Sequence, residues 1–282
     1  MTDTVAVSGA RSTADAPGPA APETAPGVAP ARRARLLRRP TGLPWWFEFV
    51  LLYGLYKFYS HVRNGVGEVH DRAYANADWI LRFEDATFLA WERWLNDWAQ
   101  GSDLFAAVMA LQYATWHLYL TAAVLIWLYR YRRAAYRVAS TIWMATTFFA
   151  LVGFYLLPTA PPRLMQGEGF VDVMRQTSSW GWWPTSGSPA ANSISNQFAA
   201  MPSLHCAWAA WCGIVVFLLV RRTWVRVLAV LYPLMTFMAV MATGNHYLLD
   251  VVAGLALLAA VGAVVLLVAR LVRTRRAPVA AA

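Results

Sequence analysis

Cysteine and lysine are almost missing from this chain. Two cysteines occur in 282 residues, Cys206 and Cys212, six apart inside one apolar run. On a helix that spacing sets them on different faces, which argues against a bridge or a metal pair and leaves two small buried core residues. Lysine occurs once, at Lys57, against 23 arginines, and Asp and Glu together number 15. The resulting net charge of +9 lacks the basic patch interleaved with aromatics, on a soluble domain, that a nucleic-acid partner would require. The N-terminal tail shows no apolar core followed by an A-x-A-like site, so it does not read as a cleavable signal peptide. No internal repeat is visible.

What the chain has is concentrated hydrophobicity: 59% of residues are hydrophobic and mean hydropathy is +0.40. The expected fold class is an all-α integral membrane protein, with 15 tryptophans and 12 tyrosines suited to the bilayer interfaces. Residues 1–43, rich in Ala and Pro and ending in "RRARLLRRP", read as a disordered basic tail. Residues 44–269 read as a six-transmembrane-helix bundle with spans near 44–60, 104–129, 138–157, 203–220, 225–243 and 246–269, and residues 270–282 as a basic tail. The first span carries Glu48 and Lys57. The tails and the loops "RYRRAAYR" and "RRTWVR" hold 17 of the 24 basic residues, which places both termini in the cytoplasm by the positive-inside rule. Residues 66–100 alternate apolar and charged positions at helical spacing and predict an outer helix lying in the interface plane. A long outer loop, 158–202, is rich in Gly, Pro, Ser and Trp. Its Trp180, Trp182 and Trp183 read as an interfacial anchor, and Asp172 as solvated.

On this topology the unusual residues collect at one face. Arg163 follows the outer end of span three, Ser203 and His205 open span four, and Asn245, His246 and Asp250 open span six. Pro202 suits a first helical turn, and the amides of Ser203, Leu204 and His205 then form an anion cradle at a positive dipole end. Arg163 adds a planar fork that matches phosphate oxygens. His246 and Asp250, four apart, share a helix face, so the carboxylate holds Nδ1–H and leaves Nε2 as nucleophile or base. His205 is free to act as acid for a departing oxygen. His117, mid-span in "ATWHLYL", is a candidate substrate contact beside Asn245, with an interhelical hydrogen bond as its alternative. The pattern is phosphoryl transfer through a covalent histidine, on a lipid phosphate or phospholipid in the bilayer, with no cofactor and no metal.

"PSLH" and "GNHYLLD" resemble the second and third signature motifs of the PAP2 superfamily of lipid phosphatases and phosphotransferases. "YLLPTAPPR" with "AAMPSLH" is similar to its branch containing inositol phosphorylceramide synthase and bacterial relatives. The resemblance implies a six-helix bundle, a nucleophile at His246 oriented by Asp250, a leaving-group acid at His205, and phosphate contacts from Arg163 and Ser203. It covers roughly residues 44–269. The family pattern carries a Lys and an Arg-Pro pair in the first motif, where only Arg163 stands here, and Ser-Arg before the third motif, where this chain has Ala239 and Val240. Arg175 is a candidate to replace that cation, and the acceptor is water or an alcohol or polyol hydroxyl. Two other readings stay open: a hydrolase with His205, His246 and Asp250 on zinc, and a non-catalytic lipid-binding or transport protein. The expected location is the cell membrane, with the site on the outer face.

Overall fold

A computed structural model describes residues 69–183 and 197–276, together with Val50, Tyr53, Gly54 and Lys57. The predicted N-terminal tail, most of the first predicted span with Glu48, and residues 277–282 lie outside them. The stretch expected to be one interfacial helix is two: α1 over Val69–Thr87 and α2 over Trp91–Gly101. Between them Phe88 takes φ +58°, and the Leu89 amide donates to the Glu84 carbonyl at 2.9 Å, which closes the turn.

The structure also decides which way α2 faces. Its polar residues Glu92 and Asn96 are buried, while Trp91, Trp94 and Trp98 face outward. The amphipathic period holds, and it is the polar face that turns into the protein. Indole rings are at home against the membrane interface, and the polar side chains find hydrogen-bond partners within the bundle.

Ser102 caps α3, Asp103–Leu111, by accepting the Phe105 amide. A π-helical turn, Gln112–Trp116, joins α3 to α4, His117–Tyr131, so the predicted second span is one interrupted rod. Arg132 breaks it, and α5 follows over Arg133–Leu156. After a long loop come α7, Leu204–Leu219; α8, Thr223–Ala242; and α9, Leu248–Arg276. Three of these, α5, α8 and α9, are long and apolar enough to cross a membrane. α7 is apolar but 16 residues long, about 24 Å at 1.5 Å per residue.

Close helix approach relies on small residues, as lipid-facing bundles require. A side chain at Gly213 would meet the Ala229 carbonyl oxygen at 2.4 Å, so α7 and α8 touch there backbone to backbone. One core cluster, including Leu95, Met109, Cys206, Val240 and Val251, joins α2, α3, α7, α8 and α9. A second, around Leu128, Trp143, Trp211 and Leu258, joins α4, α5, α7 and α9. Large aliphatic side chains such as Ile126, Leu218 and Val264 point outward, as expected where the surroundings are acyl chains.

The loop between α5 and α7 is built rather than open where it is described. Thr159 bridges to Ala199, a 3-10 turn spans Pro162–Leu164, and α6 spans Val173–Gln176. Trp183, expected at the interface with its neighbours, is buried, and its indole N–H donates to the Met174 carbonyl at 2.9 Å. Trp180 and Trp182 are the exposed pair.

Candidate functional site

The turn between α8 and α9 sets the site. Gly244 adopts φ +71°, and a Cβ there would meet the Val171 carbonyl at 2.9 Å and Arg163 Cβ at 3.3 Å. Only glycine enters this conformation without strain. The tight turn lets the Gly244 carbonyl accept the Arg163 amide at 2.8 Å, which brings the loop between α5 and α7 onto the start of α9. Asn245 and His246 both donate backbone N–H groups to the Val240 carbonyl, at 3.1 Å each, so His246 belongs to the turn before α9 rather than sharing a helix face with Asp250.

Asp250 is the hub. It is fully buried, and its Oδ2 accepts both His246 Nδ1–H at 3.2 Å and the Tyr247 amide at 3.0 Å. Its carbonyl accepts the Ser203 amide at 3.0 Å, tying α9 to the start of α7. Gly254 permits that contact, because a Cβ there would lie 2.4 Å from the Ser203 carbonyl oxygen. With Nδ1 committed to Asp250, the Nε2 lone pair of His246 is the one available for chemistry.

Two details of the expected anion cradle change. Pro202 stands before the N-cap rather than in the first turn, and the N-cap is Ser203. The Ser203 amide is already given to Asp250, and its Oγ accepts the Cys206 amide at 3.5 Å. Leu204 and His205 are therefore the first-turn amides left without an intrahelical acceptor.

The His205 ring lies 5.9 Å, centroid to centroid, from that of His246. His205 is held between two side chains of the π-turn region: Tyr113 stacks on it at 4.5 Å and His117 meets it edge-on at 4.2 Å. His117 donates Nδ1–H to the Tyr113 carbonyl at 3.0 Å, so its Nε2 is an acceptor. A π-turn advances the chain by an extra residue, and this one turns both rings toward α7. Tyr113 went unnoticed in the sequence, where it is one aromatic among many in an apolar segment.

Arg163 is nearly buried, and its Nε lies 3.6 Å from Asp172 Oδ2. Asp172, expected to be solvated, is thus a partner that aims the guanidinium. Burial pushes its carboxyl above the usual range, and Arg163 beside it pulls the other way. Arg175 is exposed on α6 and meets the site through its backbone amide, accepted by Asp172 at 3.0 Å. Asn245 turns its amide inward onto Thr243 Oγ1 at 2.9 Å. The structure therefore gathers Arg163, Asp172, His117, Tyr113, His205, His246 and Asp250, and gives Ser203 and Asn245 capping and turn contacts. Among the described residues, no three His, Cys, Asp or Glu side chains are grouped to hold a metal ion.

Behind the dyad lie Glu84 and Glu92, which the sequence analysis does not single out. They are 1% and 0% exposed. Burial, and then the neighbouring Glu92, raise the Glu84 carboxyl to about 9, and burial raises Glu92 as well. The signal was present in "WERWLNDW": the tryptophans mark the outer face, which leaves Glu92 and Asn96 for the inner one.

A family model described as PAP2 superfamily matches residues 78–265. No curated protein and no solved structure matches the chain.

Proposed function

We propose that this chain, which belongs to the PAP2 superfamily, is a membrane enzyme that moves the phosphoryl group of a lipid phosphate, or a phospho-headgroup, through a phosphohistidine at His246. The observation that carries the reading is the buried His246–Asp250 pair, 3.2 Å apart, with a second imidazole 5.9 Å from the first. A tetrahedral phosphate between the two rings meets a nucleophile on one side and a proton donor on the other.

In the first step His246 Nε2 forms a bond to phosphorus. The bond from phosphorus to the lipid oxygen breaks, and that oxygen takes a proton from His205. In the second, His205 removes a proton from an acceptor hydroxyl, which attacks phosphorus and releases His246. Asp250 holds Nδ1–H throughout and stabilises the cationic ring. Arg163, aimed by Asp172, and the first-turn amides of α7 offset the charge on the phosphoryl oxygens. Water as acceptor makes the enzyme a phosphatase; a lipid alcohol or a polyol such as inositol makes it a transferase. Six spans, cytoplasmic termini and a site on the outer face complete the proposal, with Arg175 as a further contact once substrate is bound.

The test is purified chain with a lipid phosphate in mixed micelles, alone and with polyol or lipid-alcohol acceptors, products followed by mass spectrometry. Phosphate release or headgroup transfer without added metal, inhibited by vanadate, is expected. An alkaline quench should trap phosphate on His246. Activity that persists in a folded His246→Ala variant overturns the mechanism.

A further inference from the structure

Three carboxylates converge on one helix start. The amides of Tyr247, Leu248 and Leu249 are accepted by Asp250 at 3.0 Å, Glu92 at 3.4 Å and Glu84 at 2.7 Å, respectively. These are the amides a helix N-terminus would otherwise leave unsatisfied. Glu84 comes from the end of α1 and Glu92 from the first turn of α2, so both elements grip α9 at Leu248 and Leu249, between His246 and Asp250.

The second oxygen of each glutamate makes the arrangement unusual. Glu84 Oε2 and Glu92 Oε1 are buried and, as ionised acceptors, have no donor among the described residues. The neighbouring cation supplies no donor to them, because Arg93 directs its guanidinium to Glu168 at 2.8 Å and Asp85 at 3.5 Å. Two adjacent buried carboxylates, with Asp250 as a third, are costly unless one proton lies between them. A single shared proton satisfies both orphaned oxygens at once.

We propose that Glu84 and Glu92 form a proton-sharing positioning pair for His246: each accepts an amide from the first turn of α9, and together they fix where the His246–Asp250 dyad enters the site. The assignment rests on the reading of His246 as nucleophile. The pair touches no reacting atom and acts through the helix start it holds.

The roles separate with Glu84→Gln, Glu84→Asp and the Glu84→Gln/Glu92→Gln double variant in the full chain. Glutamine copies the shape of a protonated glutamate and keeps both contacts; aspartate keeps the acid but withdraws it by one methylene. Infrared spectra at neutral pH should show a protonated-carboxyl C=O band in the wild type that is lost in the double variant. Identical spectra overturn the shared proton. Hydrogen exchange of the peptide carrying residues 246–254 should quicken in Glu84→Asp and not in Glu84→Gln, with an α5 peptide unchanged in both. Equal exchange in the two variants overturns the positioning role. Turnover of a lipid phosphate should fall on the order of 10²-fold in Glu84→Asp, with KM within roughly twofold, and be largely kept in Glu84→Gln. A wild-type chain inert toward every lipid phosphate defeats the enzymatic reading, while the spectra and exchange still judge the pair.

Discussion

At Gly244 the chain makes a turn that no other residue makes cheaply, and that turn docks Arg163 against the start of α9. Gly244→Ala is expected to cost about 1–3 kcal/mol through its positive φ and its crowding against Val171. Thermal unfolding in detergent checks it. Asp250→Asn keeps an acceptor for the Tyr247 amide but removes the charge that holds the His246 tautomer. Its kcat should drop on the order of 10³-fold with little change in unfolding temperature, since neutralising the carboxylate behind a catalytic histidine disrupts tautomer rather than fold. The four-residue spacing of His246 and Asp250 was readable in the sequence. Tyr113 and Asp172 were not, because their value comes from stacking on His205 and pairing with Arg163, both distant in sequence.

Between elements, the contact that matters most is α9 against the N-cap of α7. Gly254 lets the Ser203 carbonyl approach to a distance no Cβ tolerates. Gly254→Ala should push the two helices apart, costing about 1–3 kcal/mol as an overpacked contact. Because His205 lies in the first turn of α7 and Asp250, the partner of His246, in the first turn of α9, kcat should fall more than stability alone explains. Kinetics beside a melting curve on the same preparation test this. Helical period found α1 and α2 approximately, but not the break at Phe88 or the direction each face looks. Period fixes which residues share a face; the surroundings decide which face turns inward.

The molecule as a whole carries a pH signature from its buried acid pair. Folded Glu84 keeps its proton to about pH 9, whereas an unfolded glutamate loses it near 4.5. The folded chain therefore binds the extra proton throughout that window. Its contribution to stability is complete below the lower value and is lost as pH rises through the upper one. Unfolding temperature measured from pH 5 to 9 should decline, and Glu84→Gln should flatten the decline. Topology is tested separately: cysteine placed at Gln176 should label from outside intact cells, and cysteine at Arg222 only after permeabilisation.

By itself the sequence determined the membrane class, the helical periods, and the presence of two histidines at helix mouths with a carboxylate one turn after the second. Those features depend on composition and on neighbours within a few residues, where backbone geometry alone sets proximity. Only the tertiary structure decided that the tryptophans of α2 face out and its glutamate in, that the Ser203 amide is spent on Asp250, and that Arg163 is aimed by Asp172. Each of these depends on chain segments tens of residues apart meeting at one buried place, where a polar atom left without a partner is costly because water is not there to supply one.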